Sequence, residues 1–139
     1  MYRIDNVVRA GLTPKLRDVD TLLSMLTYTS LSADEQILQP QRFRETKYTK
    51  LYDPPIEEFA VLLTELEPGQ EEDYGCVAGP SILIVTEGSG VLISQTLSEG
   101  KYNVRSGEIF FIGADTPATL VASGNMKLTA FRAFVERSE

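Results

Sequence analysis

Asp5 and Arg9 lie four residues apart near the amino end, and in an extended strand residues four apart point to the same face. The two can therefore meet. On residue type alone they are an ordinary surface ion pair, worth about 0–1 kcal/mol. Lys15, beside Pro14, is on the same grounds a solvated lysine ahead of a helix. Cys76 is the only cysteine and the chain has no histidine. A nucleophilic thiol needs a base, so Cys76 reads as a buried, inert thiol on a strand. The same shortage argues against a self-contained zinc site, since such sites draw on His and Cys. Glu57-Glu58 and Glu71-Glu72-Asp73 offer carboxylate pairs, but acids beside turns are expected to be solvated faces.

The elements that would carry these residues differ along the chain. Val19, Leu22, Leu23 and Leu26 fall at i, i+3, i+4 and i+7, which predicts a helix from Asp18 to about Tyr28 with Asp18 as N-cap. From Thr29 to Tyr52 the periodicity dissolves, predicting an extended connector, and Asp53-Pro54-Pro55 marks a stiff boundary. Beyond Ile56 short strand-like runs follow one another: 59–66, 73–78, 82–87, 91–94, 102–105, 108–112, 119–122 and 127–135. Gly and Pro punctuate them, and Gly88-Ser89-Gly90 reads as a hairpin turn. Phe110 and Phe111 alternate faces of one strand, so at least one is core, and the same holds for Phe131 and Phe134. The fold class expected is mainly all-β: a jelly roll or small barrel over 56–139, preceded by a short helix and a connector within 1–55.

Composition fits one compact domain of 139 residues with a short appendage. Thirteen basic and twenty acidic residues leave a net charge of −7, which repels phosphate backbones and argues against a nucleic-acid partner. No apolar run approaches the roughly 20 residues that span a bilayer, so no membrane partner is expected. Met1 to Asp5 lacks the apolar stretch of a secretory signal. With a single cysteine, a reducing, cytoplasmic setting is expected.

Two stretches carry a resemblance. Asp5-Asn6-Val7-Val8-Arg9-Ala10-Gly11-Leu12-Thr13-Pro14-Lys15, followed by Asp18-Val19-Asp20-Thr21-Leu22, resembles a signature of the zinc-dependent type I phosphomannose isomerases. Leu51-Tyr52-Asp53-Pro54-Pro55-Ile56-Glu57-Glu58-Phe59 is similar to the stretch leading into that family's C-terminal domain, and Phe110-Phe111-Ile112-Gly113-Ala114 to its final strands. The likeness spans nearly the whole chain but only the last part of a family member. Gly107-Glu108 through Pro117-Ala118 also follows the outline of a cupin motif, with Ala118 where metal-binding cupins place a histidine.

The resemblance implies a fragment of a mannose-6-phosphate isomerase, an aldose–ketose isomerase that interconverts mannose 6-phosphate and fructose 6-phosphate on the way to GDP-mannose. It implies that Arg9 is the active-site arginine, that Asp5 orients it, and that Lys15 meets the substrate phosphate. The family's zinc ligands lie upstream of the strip seen here, so this chain is expected to bind no zinc and to be inactive alone. It is also expected to self-associate through the exposed strip from Ile4 to Lys15. The alternative is a stand-alone, metal-free cupin that serves as a sugar-binding or structural module without catalysis.

Overall fold

The computed structural model describes residues 8–12, 14–96 and 98–135. The chain divides into two compact units, Met1–Gln36 and Ile37–Glu139.

In the first unit, α1 spans Val19–Met25, and a single 3-10 turn covers Asp34–Gln36. The Asp18 carboxylate accepts the Thr21 amide at 3.0 Å and the Thr21 hydroxyl at 2.7 Å, so it is the N-cap that the sequence predicts. The helix is three residues shorter than expected. Leu26 is already extended (ψ 131), and the Thr27-Tyr28-Thr29 run that follows is poor in helix formers. No basic residue stands in its last turn and none of its residues is buried, so little holds its C-terminal end.

The second unit is built of strands: β1 (Gln41–Arg42), β2 (Thr49–Tyr52), β3 (Ala60–Leu66), β4 (Glu71–Asp73), β5 (Ser81–Glu87), β6 (Ser89–Ile93), β7 (Lys101–Arg105), β8 (Ile109–Ile112), β9 (Thr119–Ala122) and β10 (Leu128–Phe134). They form a six-stranded sheet in the order β1-β2-β3-β10-β5-β8 and a four-stranded sheet in the order β4-β9-β6-β7. Every pairing described is antiparallel. Strict alternation explains the layering. Leu62, Thr64 and Leu66 on β3 and Leu128, Ala130, Arg132 and Phe134 on β10 face inward, as do Ser81, Leu83 and Val85 on β5. Leu92, Val104, Leu120 and Ala122 come from the smaller sheet to complete one core. The architecture is thus the mainly-β double sheet expected. Among the described residues no helix is long and apolar enough to cross a membrane.

Four local expectations differ. The connector from Thr29 to Tyr52 includes strand: β2 pairs with β3 from Thr49↔Thr64 to Tyr52↔Val61, and β1 pairs with β2. Thr49 faces inward and Leu51 packs on the core, a period-two signal only four residues long. Gly88-Ser89-Gly90 is not a hairpin turn, because β5 and β6 belong to different sheets. Gly88 (φ +76) turns the corner so close to the neighbouring backbone that a Cβ would lie 2.3 Å from the Lys127 carbonyl oxygen. The strand expected over Asp73–Ala78 ends at Asp73, where Gly75 (φ +62) breaks the alternation. Cys76 is consequently exposed rather than buried, while Tyr74 and Val77 turn inward. Finally, Glu72 is buried, although Glu71 and Asp73 beside it are solvated as expected.

Candidate functional site

The residues that the resemblance singles out sit in the first unit, just ahead of α1. Asp18 does two jobs there. Its side chain caps the helix, and its amide donates to the Arg9 carbonyl at 2.8 Å, which ties off the loop from 9 to 18. Its carboxyl is held below the usual carboxylate range by the hydroxyl and amide of Thr21. The loop presents Arg9 half-buried and Lys15 exposed. Leu12, in a left-handed conformation (φ 39), stands wholly in solvent at the loop's tip. Asp5 lies outside the described residues, so its pairing with Arg9 has no geometry here. Arg9 and Lys15 thus lie in a short stretch joined at its ends by the backbone hydrogen bond from Asp18 to Arg9, and the helix cap holds Asp18.

A second polar constellation, which the sequence reasoning missed, crosses the interior of the double sheet. Glu72 accepts the amides of Lys47 and Tyr48 and, at 3.1 Å, the hydroxyl of Thr49. Each hydroxyl carries one proton, so the directions follow. Thr49 donates to the carboxylate; its oxygen, 2.9 Å from that of Thr64, therefore accepts from Thr64. Thr64 in turn accepts from Tyr74 at 2.8 Å. The chain runs Tyr74 to Thr64 to Thr49 to Glu72, with every proton committed. Burial pushes the Tyr74 phenol up to about 12, against the opposing help of Thr64 and Arg132.

The Tyr74 ring stacks on the guanidinium of Arg132, whose central carbon lies 5.3 Å from the ring centroid. Arg132 occupies the middle of the six-stranded sheet, in register with Leu62 on one side and Leu83 on the other. It is 1% exposed. Its Nε donates to Ser81 Oγ at 3.0 Å, but Nη1 and Nη2 have no hydrogen-bond partner among the described residues. Burial holds its pKa below the ordinary guanidinium value. A signal for this residue was present: Arg132 breaks the run of inward apolar positions 128, 130 and 134 at a position the alternation sends inward.

Neither constellation is a metal site. Among the described residues no group of three or more His, Cys, Asp or Glu is placed to hold an ion. Ala118, at the position where a metal-binding cupin would carry histidine, is a core residue, 2% exposed. Its carbonyl accepts the amide of Tyr74 at 3.0 Å.

Two antiparallel sheets closed over one core define the class: a cupin-type jelly roll. The comparisons narrow it. The family model described as phosphomannose isomerase type I C-terminal matches residues 50–96. The mannose-6-phosphate isomerase of Cryptococcus neoformans is 48% identical over 137 residues, a stretch that takes in 98% of this chain and 30% of that protein. The Schizosaccharomyces pombe enzyme of the same name is 42% identical over 139 residues, covering 98% of this chain and 33% of its own length. The Salmonella typhimurium mannose 6-phosphate isomerase, solved bound to its substrate fructose 6-phosphate and to zinc, superposes with a TM-score of 0.69 at 29% identity. That match covers 96% of this chain and 31% of the bacterial one. Over nearly its whole length the chain matches the C-terminal part of the type I phosphomannose isomerase family. It spans about a third of the length of the curated relatives it resembles.

Proposed function

We propose that this chain works as the C-terminal third of a mannose-6-phosphate isomerase, an aldose–ketose isomerase that interconverts mannose 6-phosphate and fructose 6-phosphate in the cytoplasm and feeds GDP-mannose synthesis. One observation carries the reading: 98% of the chain aligns with the Cryptococcus neoformans enzyme at 48% identity. The likeness therefore takes in the loop that holds Arg9 and Lys15 as well as the jelly roll.

The reaction moves a proton between adjacent sugar carbons and builds negative charge on the sugar oxygens. Arg9, permanently charged and half-buried, is suited to stabilising that charge, and Asp5 to orienting it. Lys15, an exposed residue six positions further along the same loop, is suited to the substrate phosphate. On this reading the zinc found in the Salmonella relative is held by the part of the relatives that this chain does not match. Zinc would polarise the sugar oxygens from there.

The test is a chimera in which this chain replaces the matching third of the Schizosaccharomyces pombe enzyme, assayed by coupled turnover of mannose 6-phosphate. Arg9→Ala is expected to lower kcat by roughly 100-fold or more with little change in KM, the signature of lost transition-state stabilisation. Lys15→Ala is expected mainly to raise KM. An inactive parent chimera that folds normally would refute the assignment of the chain, and identical kinetic signatures for the two variants would refute the division of roles.

A further inference from the structure

A cavity of about 380 Å³ opens at the end of the jelly roll, within the second unit. Its walls are Tyr102, Phe110 and Phe111, and Ile112 and Ala118 line it as well. Tyr102 and Phe110 meet edge to face, with centroids 5.4 Å apart and planes at 68°, so both an aromatic face and an aromatic edge border the space. Tyr102 is half exposed and Phe111 three-quarters exposed. No charged residue lines the cavity among the described residues.

Four hydroxyls supply its polarity, those of Ser94, Thr96, Thr116 and Tyr102, and the proton directions of the first three can be worked out. Ser94 Oγ donates to the Pro117 carbonyl at 2.7 Å, which uses its single proton. Thr96 Oγ1, 3.1 Å from Ser94 Oγ, must then donate to it. Thr116 Oγ1 donates to the Ala114 carbonyl at 3.3 Å. All three protons are spent on the protein. Toward a ligand, Ser94, Thr96 and Thr116 can only accept, whereas the Tyr102 phenol can also donate.

A site that offers aromatic surface, hydrogen-bond acceptors and no cation selects a ligand with an apolar face and its own O–H donors. A phosphate group would find no counter-charge there, in a chain of net charge −7. The cavity is also large enough for a single monosaccharide ring and falls within the usual range of small-molecule sites. We propose that it binds an unphosphorylated sugar or polyol, a ligand distinct from the sugar phosphate of the isomerase reaction. This is a site of the jelly roll itself and does not rest on the roles assigned to Arg9 and Lys15.

The experiment is a titration of the whole chain, isotopically labelled, with methyl α-D-mannopyranoside. Its blocked anomeric carbon cannot undergo isomerisation, so no turnover accompanies binding, and the amides that shift locate the site. Amide shifts are expected to cluster at Ser94, Tyr102, Gly113 and Thr116, and to saturate in the millimolar range. Mannose 6-phosphate is expected to move the same signals at least 10-fold more weakly. Two variants check the location. Tyr102→Ala removes an aromatic wall, and Gly113→Val adds bulk where an added Cβ would meet nothing closer than Thr116 Oγ1 at 3.5 Å. Each should weaken binding at least 10-fold while leaving the remaining amide spectrum folded. The proposal is overturned if these signals stay still up to 100 mM glycoside. It is equally overturned if mannose 6-phosphate binds there as well as the neutral sugar, if tetramethylammonium binds more tightly than either, or if both variants bind like the parent.

Discussion

Arg132 puts a full positive charge in the middle of a core sheet, 1% exposed, and replacing it with methionine of similar length measures what that charge contributes. The favourable side is short. Nε has one hydrogen bond to Ser81, about 1.5 kcal/mol for a charged donor. The stack on Tyr74 adds about 2 kcal/mol when desolvated. Against these stand several kcal/mol for taking a guanidinium out of water, and about 1–3 kcal/mol for each of the two nitrogens without a partner among the described residues. Arg132→Met should therefore stabilise the jelly roll by about 1–3 kcal/mol, in line with buried ions replaced by apolar residues elsewhere. For a cooperative unit of roughly 100 residues, that raises Tm by roughly 5–15 °C. Urea unfolding followed by circular dichroism gives the free energy, and an unchanged m-value certifies that the same unit unfolds. Arg132→Lys should be worse than the parent, because it keeps the charge while losing the Nε bond and the planar stack. A loss of more than about 1 kcal/mol in Arg132→Met, at unchanged m-value, would refute the reasoning and mean that the guanidinium is well compensated.

Gly88→Ala should cost about 2–4 kcal/mol, since it combines a left-handed residue with a Cβ 2.3 Å from the Lys127 carbonyl oxygen; the same urea titration reads it. Tyr74 keeps its proton to about pH 12 when folded but ionises near 10 when unfolded, so above pH 10 the unfolded state binds fewer protons and stability falls as pH rises. Tyr74→Phe should flatten that alkaline limb, by up to about 3 kcal/mol between pH 10 and 12, in melts recorded across the range. Asp18→Ala should fray α1 and loosen the loop that carries Arg9 and Lys15, read as faster amide exchange at Thr21. Because Thr21 holds the Asp18 carboxyl below its ordinary pKa, the cap's contribution is present at neutral pH and is lost as pH falls through the folded value.

Much of the architecture was legible because its signals are local. The helix start at Asp18 is written in one capping residue and four apolar positions, and the strand-like runs 59–66, 82–87 and 127–135 hold Leu62, Leu66, Leu83, Leu128 and Phe134, which the structure buries. The Arg9 and Lys15 loop was legible as a motif, and its tie to Asp18 accords with the same short stretch of chain. What the sequence could not decide depends on residues far apart in the chain. Whether Gly88 turns a hairpin or a corner depends on Lys127, nearly forty residues away, whose backbone occupies the space a side chain would need. Whether Cys76 or Tyr74 faces inward depends on a positive φ at Gly75 that no local pattern announces. Glu72 looks like one of three solvated acids until the amides of Lys47 and Tyr48 close around it. The sequence alone determined the alternation, the cap and the family motif, because each is a relation between neighbours along the chain. The tertiary structure alone decided which polar groups are buried and where every proton in the interior goes, because a hydrogen bond is a relation between neighbours in space.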